Sequence, residues 1–382
     1  MSEFSKQDYL FMQRAITLAK QGRYTTSPNP RVGCVIVKNQ QIIGEGFHQR
    51  AGLAHAEVNA LLACNKAGET PKGATAYVTL EPCSHVGKTP PCAKGLIEAG
   101  IKHVVIAMGD PNPQVSGSGI TMLEQAGITT AIGLLESDAI QLNKGFIHLM
   151  TTGLPYVRCK MAASLDGKTA MASGESKWIT SSHARKNVQA LRAQSCAIIT
   201  GADSVITDNA KMTVRYQELE EAVKTFPESE LRQPVRVIID SQQRLTPDLA
   251  LFQCESPIIL VGTGIENTDK WPHFVEQLQC SSIKNNAGED KVNLTELLTL
   301  LAQRGFNDIL VESGARLSGA FVEQDLVNEL ILFQAPKLIG GQGKNLLQLP
   351  SIEHLASAKK LTINNVTMVG PDIKITATFN KN

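Results

Sequence analysis

Three short strings in the first hundred residues carry side chains able to do chemistry: His55-Ala56-Glu57, Pro82-Cys83 and Cys92. Taken singly, each has a plain structural explanation. His-x-Glu at a helix start is an acid near the positive end of the dipole. Pro-Cys after an apolar run is a strand end and turn, and a cysteine following Pro90-Pro91 is a small buried residue. Together they read differently. An imidazole and two thiolates at adjacent helix starts, where the dipole favours thiolate, make three ligands for tetrahedral zinc. The fourth position is left to water, the pattern of a catalytic rather than a structural site. Zinc lowers the pKa of such a water toward neutrality, and Glu57, a non-ligand, could shuttle its proton.

Those side chains need elements to hold them, and the N-terminal third alternates helix and strand. Ser5 to Asp8 has capping-box spacing, with Tyr9, Met12, Ile16 and Ala19 following at helical intervals. Residues 32–38 and 41–48 flank the turn Asn39-Gln40 and predict a hairpin. A helix from about His55 to Lys66, a strand at Thr75–Leu80 and a helix from Cys92 to Ala99 carry the three strings. Further on come a strand at His103–Met108, a helical stretch near Gly119–Ala126 and an apolar run at Ile128–Leu135. One helix across Ser137–Met150 closes the region. This order predicts a mixed sheet covered by helices on both faces.

Thr151-Thr152-Gly153-Leu154-Pro155 is short, polar and carries Gly and Pro, so the chain is expected to divide into domains 1–150 and 151–382. Beyond that point strand-like runs recur at Tyr156–Ala163, Ala197–Ile199, Val235–Asp240, Ile258–Gly262, Asp308–Glu312 and Glu329–Ala335. Helices are expected at Ser181–Arg192 and Asn293–Arg304, and two strands around Gly370-Pro371-Asp372. No Gly-x-Gly-x-x-Gly follows a strand, so a Rossmann fingerprint is absent.

Composition narrows the class. Among 382 residues, 37 Lys plus Arg face 36 Asp plus Glu, which argues against binding nucleic acid chiefly through phosphate attraction. No apolar run approaches the ~20 residues of a membrane span. The start, Met1-Ser2-Glu3-Phe4-Ser5, has no basic segment leading into an apolar one. Eight sparse cysteines without a secretory signal place the chain in the reducing cytoplasm. The expected partner is a small molecule, with no nucleic acid and no membrane; a homo-oligomer is compatible with all of this.

With Pro82-Cys83 and Cys92, the His55-x-Glu57 string resembles the zinc-dependent cytidine and nucleobase deaminase superfamily. Eight residues, Ser84 to Pro91, separate the cysteines where the superfamily signature has two. One branch is matched closely. Ser27-Pro28-Asn29-Pro30-Arg31-Val32-Gly33-Cys34, Gly46-Phe47-His48, Ala54-His55-Ala56-Glu57 and the run from Glu81 through Ser84-His85 and Gly87-Lys88-Thr89 to Cys92 look like the deaminase half of the bifunctional riboflavin-biosynthesis deaminase–reductases. The resemblance implies a diaminopyrimidinone substrate carrying a phosphoribosylamino group, deaminated to a uracil ring. It also implies one zinc on His55, Cys83 and Cys92, with Glu57 moving the protons. Asn29 and the Cys83–Cys92 loop would line the pocket; His48 and His85 stay outside the ligand set.

The second half carries Lys160 to Ala170, Ser173 to Thr180 with Trp178, and Val311-Glu312-Ser313-Gly314 entering a helix whose free N–H groups could receive a phosphate. As a set these resemble the reductase half of the same family. That implies a dihydrofolate-reductase-like α/β domain behind a cytidine-deaminase-like α/β/α domain, with NADPH as cofactor. By resemblance Ala162, Trp178, Ser204, Asp208, Ser241 and the turn Gly314, Ala315, Arg316, Leu317, Ser318, Gly319, Ala320 contact the dinucleotide. Ser176, Arg192, Met212, Arg215 and Glu312 hold the substrate, the arginines suiting its phosphate. Hydride goes to the sugar C1 and opens the ribose to ribityl, with Glu312 a candidate proton donor. Where the family commonly shows Asp-Asp-Pro, this chain has Asp208-Asn209-Ala210, a looser loop.

Two other readings are expected to fail. A nucleic-acid-editing deaminase would bind RNA with steep salt dependence. A zinc staple in an interaction protein would show four protein ligands.

Overall fold

Alternation in residues 33–37 decides how the first half is layered. Val35 and Val37 point to one side of their strand, Cys34 and Ile36 to the other, and all four are buried. A strand buried on both faces needs helices above and below it. The computed structural model describes residues 4–84, 91–112, 115–224, 226–264, 269–285 and 288–380. It divides between Gly153 and Leu154 into two units.

In the first unit, helix α1 (Lys6–Gln21) starts with a Ser5/Asp8 capping box. Strands β1 (Gly33–Lys38) and β2 (Gln41–Phe47) form the hairpin, turning through Asn39 and Gln40 in left-handed conformation. There follow α2 (Ala56–Lys66), β3 (Thr75–Val78), α3 (Cys92–Glu98), β4 (His103–Ile106), α4 (Ser118–Gln125) and β5 (Thr129–Ile132). The sheet order is β2-β1-β3-β4-β5, antiparallel around β1 and parallel from β3 onward. Phe11, Met12, Ala15 and Ile16 of α1 pack with Val35, Val37 and Tyr77 on one face. Ala60, Cys64, Leu96 and Leu123 of α2, α3 and α4 pack with Cys34, Ile36 and Val104 on the other.

The single helix expected across 137–150 is two, α5 (Glu136–Leu142) and α6 (Lys144–Thr152). Asn143 breaks it. Its side chain is buried and reads both sides of one distant backbone unit, accepting from Arg31 N at 2.8 Å and donating to Arg31 O at 3.0 Å. Those two bonds hold residue 143 out of helical geometry, at φ −124° and ψ 28°.

The second unit contains β6 (Tyr156–Ser164), β7 (Lys168–Ala170), α7 (Ser182–Gln194), β8 (Ala197–Gly201), α8 (Ala202–Asp208), β9 (Val235–Ile239), β10 (Ile258–Gly262) and β11 (Val275–Gln279). It continues with β12 (Ser282–Lys284), β13 (Asp290–Val292), α9 (Leu294–Gln303), β14 (Asp308–Val311), α10 (Ala315–Glu323), β15 (Glu329–Ala335), β16 (Lys344–Asn345), β17 (Leu361–Val369) and β18 (Asp372–Phe379). Nine strands form one sheet, ordered β11-β10-β9-β8-β14-β6-β15-β18-β17. The first seven are parallel and the closing hairpin is antiparallel. Leu297, Leu298, Leu301 and Phe321 cover the face bearing Val157, Cys159 and Val311. Val188, Leu191, Leu251 and Phe252 cover the face bearing Ile198, Ile238 and Leu310. Ligand crevices in such sheets lie at the carboxyl ends of the parallel strands. Among the described residues no helix is long and apolar enough to cross a membrane.

Candidate active sites

His55 is the N-cap of α2, Glu57 its second residue and Cys92 the first residue of α3. Cys83 lies beyond β3 in irregular chain, not at a helix start as its neighbours' pattern implied. The α3 N-terminus serves it nonetheless, because Cys92 N–H donates to Cys83 Sγ at 3.3 Å. The donor atoms of His55, Cys83 and Cys92 all lie within 4.8 Å of one another. His55 Nδ1 is 3.2 Å from Cys92 Sγ and 3.7 Å from Cys83 Sγ. Tetrahedral zinc with ordinary bond lengths separates its nitrogen and sulfur ligands by about 3.6 Å, so one ion fits. Without metal the hydrogen bond from the Cys92 thiol, together with His55, holds Cys83 well below the usual thiol range, and donating that proton pushes Cys92 up. A pair already carrying one thiolate is a soft donor set, as zinc prefers.

Glu57 is 3% exposed. Burial, reinforced by Cys83, raises its carboxyl to about 7 against its own helix N–H and His55. Asn29 is brought to this site by His48. The His48 ring is buried edge-on against His55, 5.3 Å between centroids. The Ala54 carbonyl, 3.1 Å from His48 Nδ1, can only accept, so Nδ1 carries the proton and Nε2 accepts from Asn29 Nδ2 at 3.1 Å. Burial lowers the His48 pKa, consistent with a neutral ring. His48 therefore positions Asn29 and has no nitrogen left for a metal. His85 and residues 86–90 of the Cys83–Cys92 loop lie outside the described residues.

In the second unit the expected cofactor residues fall along one edge of the sheet. Ala162 is near the end of β6, Ser204 follows β8, Ser241 follows β9 and Gly314 follows β14. A Cβ on Gly314 would stand 4.0 Å from Ser204 Oγ, so these two meet. Gly314 caps α10 with no side-chain hydrogen bond, leaving that end free for a phosphate. Glu312 sits just beyond β14. Arg192 grips it through Nε at 2.8 Å and Nη2 at 3.0 Å, and Lys160 Nζ of β6 lies 3.5 Å away. Burial pushes the Glu312 pKa up, but Arg192 and then Lys160 outweigh it and bring it to about 2.

Residues 5–108 match the family model of the cytidine and deoxycytidylate deaminase zinc-binding region, and residues 155–375 match the RibD C-terminal domain. The chain is 51% identical to the riboflavin biosynthesis protein RibD of Haemophilus influenzae, with 99% of each chain covered. The chain belongs to the RibD family. It is 50% identical to RibD of Escherichia coli over 96% of this chain and 98% of that one. RibD of Acinetobacter baumannii superposes with a TM-score of 0.89 at 44% identity, covering 98% of this chain and 99% of that one. The Thermotoga maritima deaminase/reductase superposes at 0.85 with 34% identity and the same coverage. As a RibD protein it is a bifunctional riboflavin-biosynthesis enzyme, a zinc deaminase joined to an NADPH reductase.

Several of the residues expected to hold substrate or dinucleotide are engaged within the fold. Glu312 is partly buried, and against that burial Arg192 and Lys160 hold its carboxyl below the usual carboxylate range. The Arg192 fork engages Glu312, and its Nη1 donates to the Thr213 carbonyl. Met212 is 6% exposed and packs in the core. Ser318 and Gly319 are buried. Ser318 Oγ bonds to Ser313, and a Cβ on Gly319 would meet Gln348 O at 2.0 Å. The Asn209-Ala210 loop is less slack than its sequence implies. Asn209 closes α8 and accepts from Ala250 N at 2.8 Å, while the buried Arg236 guanidinium ties Lys211 O to three carbonyls of residues 251–256.

Other residues stay near the crevice. Ser176 and Ala315 are half-buried, Arg316 is exposed, and Leu317 and Ala320 pack on the core. Asp208 pairs with Lys177 at 3.3 Å. Trp178 is 62% exposed under the Arg185 guanidinium, 4.4 Å from its ring centre. Arg215 is exposed and bound to Glu218, a weak surface pair that a phosphate could displace. Beside Ser241, a cavity lined by Asp240, Trp271 and Gln277 holds a buried polar atom of each without a hydrogen-bond partner. In a cavity of about 30 Å³, such orphans at the carboxyl edge have room for a water-sized polar guest. The contacts of Lys160 with Glu312 and of His48 with Asn29 were not foreseen from the sequence. The readable signal for Lys160 was a second cation, beside Arg158, inside a strand of mostly apolar residues, a rare burial unless paired.

Proposed function

We propose that His55 Nδ1, Cys83 Sγ and Cys92 Sγ hold one zinc ion and that Glu57 carries the protons of deamination. The convergence of those three donors beside a buried Glu57 carries this reading. When bound, zinc supplies the Lewis acidity that makes water a nucleophile at neutral pH. The Glu57 carboxylate takes a proton from the attacking water and gives it to the pyrimidine ring nitrogen. It then moves a second proton to the leaving amine, so water enters, ammonia departs and a carbonyl replaces the amine. Asn29, its amide nitrogen engaged by His48, offers its oxygen to the ring.

In the reductase half we assign the dinucleotide to the carboxyl edge around Ala162, Ser204, Ser241 and Gly314–Arg316, with Trp178 and Asp208 at its rim. When bound, NADPH supplies the hydride. The acceptor is C1 of the sugar in its ring-opened imine form. The imine nitrogen needs one proton, which Lys160 Nζ gives; Glu312, kept ionised, holds that ammonium in place. Arg215 receives the substrate phosphate, with Ser176 beside it. The product is a ribityl chain and NADP⁺.

The domains are residues 1–150 and 151–382, and the division at Gly153 supports a boundary there to within a few residues. Eight cysteines outside any disulfide among the described residues agree with a reducing cytoplasm, and the balanced charge agrees with a small-molecule partner in place of nucleic acid or membrane. The test is incubation with the phosphoribosylaminopyrimidine, with and without NADPH, following ammonia and NADPH absorbance. Glu57→Gln should keep zinc, release ammonia ~10²-fold more slowly or worse, and still oxidise NADPH on supplied uracil intermediate. Wild-type ammonia release by that variant removes Glu57 from the mechanism.

A further inference from the structure

Of the three zinc donors, Cys83 alone has no helix or strand beneath it. His55 and Cys92 are placed by the first residues of α2 and α3. Something else must fix the third. Two residues earlier, Glu81 is 4% exposed and its carboxylate is saturated by backbone donors. Oε2 accepts from Asp110 N at 3.0 Å and Gly117 N at 3.1 Å; Oε1 accepts from Gly119 N at 3.0 Å and Ile120 N at 3.5 Å. One residue after Cys83, Ser84 Oγ lies 2.6 Å from Ser118 Oγ. Between them, the Pro82 carbonyl is pressed so closely on α4 that a Cβ on Gly119 would stand 2.0 Å from it. Residues 81, 82 and 84 are thus all fastened to the start of α4, with Cys83 in the middle.

We propose that Glu81 is a positioning residue of the zinc centre: by gathering the backbone amide of Asp110 and three at the start of α4, its carboxylate anchors the irregular segment that presents Cys83. The proposal rests on the ligand set assigned above. A carboxylate is required because both oxygens must accept twice. Glutamine would keep the shape and turn one of those oxygens into an N–H facing two N–H groups. The loop would shift, and Cys83 with it, while His55 and Cys92 keep their helices. Partners that orient a ligand typically change metal affinity by about 10–100-fold when removed.

The experiment loads the full-length chain with cobalt(II) in place of zinc and reads the thiolate-to-metal absorption in the near ultraviolet. Zinc affinity is measured in parallel by competition with a chromophoric chelator. The wild type should show a two-thiolate band and Cys83→Ala roughly half of it, which establishes the ligands. Glu81→Gln should fall toward the Cys83→Ala spectrum and bind zinc at least ~10-fold more weakly, with NADPH oxidation on supplied uracil intermediate unchanged. Ser118→Ala loosens the same tie without stranding four amides, and should lower the band in a chain that folds normally. A wild type with no thiolate band overturns the ligand assignment and this proposal together. A full band with zinc affinity within about twofold of wild type in folded Glu81→Gln overturns this proposal alone. Should Glu81→Gln not fold, a full band in Ser118→Ala does the same.

Discussion

Glu312 shows how a single carboxylate can be decided by its neighbours. Its pKa of about 2 lies below the ordinary 4.5 because Arg192 and Lys160 favour the charged form more strongly than burial opposes it. The folded state therefore binds the proton more weakly than the unfolded chain does. The stabilisation this provides is complete above about pH 4.5 and drains away as the pH falls toward 2. Urea unfolding of the wild type should lose stability between roughly pH 5 and 3 more steeply than Glu312→Gln does. Parallel pH dependences would show that the ion pair does not form. Little of this was legible in the sequence. Glu57 could be assigned from its spacing to His55, whereas the charge on Glu312 depends on Arg192, 120 positions away, and on Lys160 in another strand.

Elements transmit such constraints through backbone contact. Strand β2 passes α2 so closely that a Cβ on Gly46 would lie 2.4 Å from Ala60 N and 2.5 Å from Ala56 O. Backbone atoms cannot yield as a flexible side chain can, so Gly46→Ala must push the helix away. It is expected to cost about 1–3 kcal/mol in urea unfolding. Because His55 caps α2, zinc affinity should fall with it; stability lost without weaker zinc would mean the helix start stays in place. Helices with strong period and caps, such as α7 and α9, and strands with alternation, such as β15, were readable locally. The break at Asn143 was not, since it is made by Arg31, 112 positions away in the chain. Nor were β7 and β16, too short to have a period and existing only as each other's partner.

At the scale of the molecule, each unit has its own sheet and its own pair of cores, so zinc should stabilise only the first. A ligand that binds one folded unit raises that unit's transition and leaves the other alone. Calorimetry is expected to resolve two transitions, of which a chelator lowers one. The same chelator should abolish ammonia release while NADPH oxidation on supplied intermediate continues; loss of both would mean the units unfold together. The placement of β14 adds a difference in timing. In the first sheet the last strand ends at Ile132, and every pairing joins strands made close together in the chain. In the second, the strand at Asp308–Val311 slots between β8 and β6, formed more than a hundred residues earlier. Non-local pairing of that kind closes late. On the ribosome, the hydrolytic half can finish folding while the redox half is still an incomplete sheet. A nascent chain stalled before residue 308 would carry a deaminase fold and a central gap between β8 and β6 in the sheet of the other half.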